Sequence, residues 1–218
     1  MNFFGHVVVT SWQSSEPAVA LGAMLPDLAN MCRGRVVRAH DADVAAGITL
    51  HHATDKVFHT LPAFSELERD TTQRLQARGV KRGAAMGTAH VAVELLLDGM
   101  LLDDERACAL YLAALRCEAA MADDARSEWQ DPAAARRWAT IRDRLTDHGL
   151  PAGYRDPDVV TDRIALILSH YSTLALDDSE IGRVRAELQL LRARVAASVP
   201  TIMTGLRRVF DAADPHGQ

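Results

Sequence analysis

"HHATDKVFH", residues 51–59, sets three histidines and one aspartate within nine residues. It closes the longer stretch "HDADVAAGITLHHATDKVFH", residues 40–59, whose early aspartates suit the positive end of a helix. Read as a helix, this stretch puts His51, Asp55 and His59 at i, i+4 and i+8. Each step of four turns through about 400°, so the three side chains share one slowly drifting face. The row raises the question of why a helix with an apolar face carries so many side chains that bind metals or protons.

A second row has the same spacing. "HVAVELLLD", residues 90–98, places His90, Glu94 and Asp98 at i, i+4 and i+8 in an otherwise apolar run. Burying an unpaired carboxylate costs several kcal/mol. A divalent cation shared with facing imidazoles and carboxylates offsets that cost, a device known from helical proteins with metal cores. Residues i and i+8 lie about 12 Å apart along a helix axis. One ion therefore cannot take all three members of a row. Either two ions are held, as in hydrolases where they sit roughly 3.5–4 Å apart, or the outer residues orient the ligands. His52 points about 100° away from His51 and is placed to orient a ligand or substrate, or to sit at the edge. His6, in the apolar opening run, and Asp27, a lone acid in "GAMLPDLAN", are further candidates.

Plainer readings compete with these. An i,i+4 surface pair is the rival for His51 and Asp55, and a polar stripe on a half-exposed helix for His90, Glu94 and Asp98. His40, His148 and His216 fall in loops or ends and read as structural. His170 in "LILSHYS" reads as a core or supporting residue. The run "RVRAELQLLRARV" reads as a solvated helix face.

Further helices are expected throughout the chain. "SSEPAVALGAMLPDLANM" has a proline in its first turn and Pro26 as a kink or stop. "PAFSELERDTTQRLQAR" begins at Pro62, and "AAMGTAHVAVELLLDGMLL" is apolar around most of its circumference, as a buried central helix is. "DDERACALYLAALRCEAAMADDARSEW" reads as one long amphipathic helix and "AAARRWATIRDRL" as a shorter one, followed by the loop "DHGLPAGYRDPD". "DVVTDRIALILSHYSTLAL" and "DSEIGRVRAELQLLRARVAASVPTIMTGLRRVF" complete the set, with Pro200 expected to kink or divide the last. The tail "DAADPHGQ" is expected to fray. No alternating strand pattern is evident. The expectation is one all-α domain over residues 1–218, a helical bundle of about eight helices.

Composition narrows the function classes. The chain has 218 residues, 24% of them charged, with a net charge of -5 and no basic run. A surface that tracks nucleic-acid phosphates is not expected. Cys32, Cys108 and Cys117 form an odd set without a CxxC pair, which fits free thiols in a reducing compartment. The opening "MNFFGHVVVTSW" lacks the features of a signal peptide, and no membrane span is expected. A cytoplasmic location is the default, and the oligomeric state is left open. GxSxG, P-loop, HExxH and Gly-rich dinucleotide patterns are absent from the sequence.

Three blocks in order resemble the acyl carrier protein phosphodiesterase family. The opening "MNFFGHVVVT" is similar to that family's start, with a histidine in the sixth place. "GAMLPDLANMCRG" resembles its second block, and "DVAAGITLHHATDKVFHTLP" its third, a helix followed by HRxxDxxTDxxP. The later histidine of the family matches His90. The likeness covers roughly the first hundred residues. "GAMLPD" is also similar to zinc-dependent phospholipase C-like proteins. The resemblance implies an HD-domain-like helical fold, a metal-dependent phosphodiester hydrolase, and release of 4'-phosphopantetheine from holo acyl carrier protein.

Carried over by position, the resemblance implies His6, Asp27, His51, Asp55 and His90 as site residues. His6 and His52 are the candidates for proton transfer. Asp27, His51, Asp55, His59, His90, Glu94 and Asp98 are the candidate metal ligands, for one or two ions of Mn, Fe, Zn or Mg. The chain departs from the family at His52, where the family has arginine, at Phe58-His59, where it has Thr-Asp, and at Ala89, where it has aspartate. The expected partner is an acyl carrier protein or a small phosphodiester. The alternatives are another phosphoester, such as a nucleotide or lipid head group, and a non-catalytic helical domain of the same fold.

Overall fold

The computed structural model describes residues 1–213; His216 and the rest of the tail beyond residue 213 lie outside the described residues. Among the described residues the chain forms ten α-helices, one 3-10 turn and one two-stranded sheet. The all-α expectation is met. The described residues divide into two compact units, the first comprising residues 1–56 and 101–151 and the second residues 57–100 and 152–213.

The first unit begins with α1 (Phe3–Gln13), a helix that the sequence signals did not reveal. "HVVVT" is β-branched and favours strands by local preference. Packing overrides that preference: residues Phe3 to Ser11 are all buried. The helix lies against α2 (Pro17–Met31) and α6 (Glu105–Ala114). Phe3 and Phe4 pack on Tyr111 with ring centroids 6.0 and 5.8 Å away. Pro26 neither ends nor divides α2, which runs on to Met31. Its ring removes only the N–H that would have bonded the Gly22 carbonyl.

α3 (Ala42–Phe58) crosses α2 at close range. A Cβ on Gly22 would meet the Val44 carbonyl oxygen at 2.1 Å, and one on Gly47 the Val19 carbonyl oxygen at 2.0 Å. Each helix thus presents a glycine where the other's backbone arrives, and no side chain fits at either position.

The segment expected as one long helix over residues 103–129 is broken. It forms α6, the short α7 (Glu118–Met121) and a strand β2 (Ser127–Trp129). The β2 strand pairs antiparallel with β1 (Val36–Ala39), with Val36 opposite Trp129 and Ala39 opposite Ser127. The break follows from the backbone. Cys117 and Ala122 are extended, with ψ of 162° and 144°, and interrupt the helix on either side of α7; Ala125 and Arg126, with left-handed φ of 53° and 49°, then turn the chain into β2. The strands are too short to show an alternating pattern. α8 (Pro132–His148) closes this unit. Its Trp138 is fully buried and donates from Nε1 to the Ala120 carbonyl at 3.1 Å.

The second unit contains α4 (Pro62–Ala77), α5 (Arg82–Leu101), the 3-10 turn Ala152–Arg155, α9 (Pro157–Ser169) and α10 (Asp178–Ala213). α10 packs against α4 and α9 and stays one helix through Pro200. Glu187 of α10 is fully buried, and its carboxylate accepts from Arg78 Nε at 3.1 Å. α5 has the length and hydropathy of a membrane-crossing helix, with 67% of that window buried within the protein, as core helices also show.

Candidate metal centre

α1, α2 and α3 bring His6, Asp27 and His51 together in the first unit. One ligand atom from each lies within 4.8 Å of the others. His6 Nε2 stands 3.9 Å from Asp27 Oδ2 and 3.9 Å from Asp55 Oδ1. The His6 and His51 rings lie face to face at a tilt, with centroids 4.0 Å apart. Asp55 Oδ1 also accepts from the Met1 amino group at 2.8 Å.

The glycine crossing fixes the orientation of His51. It lets α3 lie close enough to α2 for His51 Nδ1 to reach the Ala23 carbonyl at 2.9 Å. A carbonyl only accepts, so Nδ1 carries the proton and Nε2 presents its lone pair. That is how a metal-binding histidine is held ready by a neighbouring backbone oxygen.

Both imidazoles are neutral in this setting. Burial pushes His51 down to about 4, an effect the Ala23 bond and the Asp55 charge only partly offset. Burial, with the nearby His51, also holds His6 well below its ordinary value. Neither ring nitrogen of His6 makes a hydrogen bond, although the side chain is fully buried. A buried imidazole without hydrogen bonds is costly, and an ion bonded to one nitrogen removes the deficit there. Two neutral imidazoles and one or two carboxylates form a donor set suited to a transition-series dication. The residues therefore fit a metal.

A second group forms within the second unit from His59, His90 and Glu94, again with ligand atoms within 4.8 Å of one another. Both His59 Nε2 and His90 Nε2 lie 3.3 Å from Glu94 Oε1. The two rings are parallel within 3°, with centroids 5.1 Å apart. Phe64 sets its ring at a right angle to both. His90 Nδ1 donates to Glu68 Oε1 at 3.0 Å. Burial works to raise Glu94, but its bonds to His59 and His90 outweigh that and hold it well below the usual carboxylate range. The same contacts, that with Glu94 first, raise His90.

The two rows seen in the sequence are thus redistributed. His51 joins His6 and Asp27, with Asp55 beside them, while His59 joins His90 and Glu94. His6, expected to transfer protons, stands among the candidate ligands. His52 is exposed, with its ring edge-on to His51 at 5.3 Å. Asp98 belongs to neither group; it is fully buried, and its charge acts on Tyr154. His40, His148 and His170 are exposed.

Sequence reasoning missed Glu68. It lies in "SELERD" among other charged residues of an amphipathic helix, and nothing local marks it. It also missed the backbone carbonyl of Ala23 and the two glycines that bring it to His51.

No protein-family model matches the chain, and neither does any curated protein or solved structure.

Proposed function

We propose that this protein is a metal-dependent phosphodiester hydrolase whose catalytic ion is held in the first unit by His6, Asp27 and His51, with Asp55 beside them. The observation that carries this reading is the convergence of those three side chains, one of them a fully buried imidazole with no hydrogen bond. The likeness of "MNFFGHVVVT", "GAMLPDLANMCRG" and the α3 stretch to acyl carrier protein phosphodiesterases supports it, because four of the five residues which that likeness implies, His6, Asp27, His51 and Asp55, lie together, while the fifth, His90, joins the second group.

A bound dication would supply a water of lowered pKa and polarise a phosphoryl oxygen. The chain's own residues set the conditions. Ala23 holds the His51 proton on Nδ1, so Nε2 faces the centre. Asp27 and Asp55 would supply negative charge to balance the cation. His52 sits at the exposed edge next to His51, where it can hand a proton to a leaving alkoxide. The substrate class we favour is a phosphodiester, with the phosphopantetheine arm of holo acyl carrier protein as its first member.

The test uses His51→Asn, whose side-chain amide retains a donor for the Ala23 carbonyl but lacks Nε2. Wild-type protein reconstituted with Mn or Zn should hydrolyse holo acyl carrier protein or a bis-aryl phosphodiester, and the variant should lose at least a hundredfold of that rate. Activity on the aryl ester alone would move the substrate away from the carrier protein. Equal rates in both proteins, or none in wild type on any phosphodiester, would sink the proposal.

A further inference from the structure

We infer that the second unit carries a metal site of its own, in which His59, His90 and Glu94 bind a zinc-class dication and Glu68 is the positioning residue for His90. This site is complete within the second unit and does not rest on the hydrolase reading. It also uses positions where the chain departs from the family it resembles, since His59 stands in place of an aspartate and Glu94 follows the later histidine.

The convergence of one ligand atom each from His59, His90 and Glu94, all within 4.8 Å of one another, carries the inference. Both nitrogens of His90 face carboxylate oxygens, Nδ1 at 3.0 Å from Glu68 and Nε2 at 3.3 Å from Glu94. Carboxylate oxygens only accept, and a neutral imidazole has a single N–H. The Glu68 bond takes the proton on Nδ1, and Nε2 meets Glu94 through either a second proton or a cation set between them. His59 Nε2 reaches the same Glu94 oxygen at 3.3 Å. A dication placed among the two Nε2 atoms and the Glu94 carboxylate would be held by all three and would offset both carboxylates.

The remaining geometry agrees. A carboxylate on the far nitrogen of a ligating histidine fixes its ring and strengthens its lone pair. Phe64 bounds both rings edge-on and limits how far either can turn. Two imidazoles and one carboxylate select a zinc-class ion over magnesium or calcium. Three protein ligands leave a fourth position open. The His90 and His59 side chains are 38% and 32% exposed, whereas His59 Nε2 itself is buried.

The test starts from His51→Asn, which disables the first-unit centre. Chelator-treated protein is dialysed against zinc and its metal content measured, with helicity followed by circular dichroism. We expect one zinc per chain in this background. Adding His59→Ala or Glu94→Gln should abolish it, whereas adding Glu68→Gln should leave the stoichiometry intact and weaken affinity by about 10- to 100-fold. X-ray absorption at the zinc edge of the His51→Asn protein gives a readout that no further variant can confound, and two imidazoles are expected. Failure to bind zinc in this background, zinc that survives both substitutions, or a spectrum without imidazole scattering would each overturn the site. None of these outcomes depends on hydrolysis, so failure here is distinct from failure of the catalytic reading.

Discussion

His51 donates from Nδ1 to the carbonyl of Ala23 at 2.9 Å, and that bond links a helix crossing to a candidate metal ligand. It exists because α2 and α3 meet backbone to backbone. Substituting a glycine at the crossing should therefore change the chemistry of a histidine it does not touch.

Gly47→Ala is the direct case. Its methyl would lie 2.0 Å from the Val19 carbonyl oxygen and 2.7 Å from the Ala23 nitrogen, both backbone atoms that cannot swing aside. Overpacking of this kind costs about 1–3 kcal/mol or more. We expect a lower denaturation midpoint in urea together with loss of the first-unit metal. A variant of native stability and metal content would show that the crossing can relax.

Acid should destabilise the metal-free protein through His51 and His6. Both titrate near 6.5 when unfolded, but burial holds His51 at about 4 and His6 well below its ordinary value when folded. Between those limits the unfolded chain binds more protons, so stability falls as pH drops from 6.5 toward 4. His90 is raised and acts in the opposite sense, its contribution present at low pH and lost as pH rises. The His51 part is isolated by comparing urea unfolding of wild type and His51→Asn at pH 7.5 and 5. The difference between the two proteins should shrink or reverse at the lower pH. A constant difference would mean that His51 does not titrate in this way.

Asp98→Asn separates alignment in sequence from membership of a site. Asp98 continues the row of His90 and Glu94, but it lies outside both candidate groups. Metal content should be unchanged in Asp98→Asn and reduced in Glu94→Gln. Equal losses in the two variants would place Asp98 at the ion.

Arg78 should matter more than its exposure suggests. It bonds Glu187, which is wholly buried, while Arg74 lies 3.9 Å from the other carboxylate oxygen. Removing one partner of a fully buried pair costs about 3–5 kcal/mol, and the solvent that reaches Arg78 reduces this to about 1–2. Arg69→Ala, at the exposed pair with Asp70, should change stability by less than about 0.5 kcal/mol. Chemical denaturation of the two variants side by side tests the contrast.

α4, with its proline start, and α5, apolar around most of its circumference, were legible from the sequence. α1 was not, because its valines favour strands and only its burial makes it a helix. The break after α6 was not legible either, since it lies at the extended backbone of Cys117, and the turn into β2 depends on two non-glycine residues in left-handed conformations. For the site, the rows on α3 and α5 pointed to the ligand types. They did not show how the members would be grouped. An i,i+4 ladder fixes direction around one helix, whereas the grouping depends on which side chains other elements bring to it. Glu68 shows this most plainly, because only the fold distinguishes it from the charges on either side.

The glycine crossing also provides a way to recognise other chains built like this one. Gly22 precedes Asp27 by five positions, and Gly47 precedes His51 by four and Asp55 by eight. A search pattern that demands these small residues at those offsets, with a histidine near the start of the chain, tests for the crossing and the ligands together. Chains that keep the acids and histidines but carry bulk at either glycine would have to place their second histidine by other means.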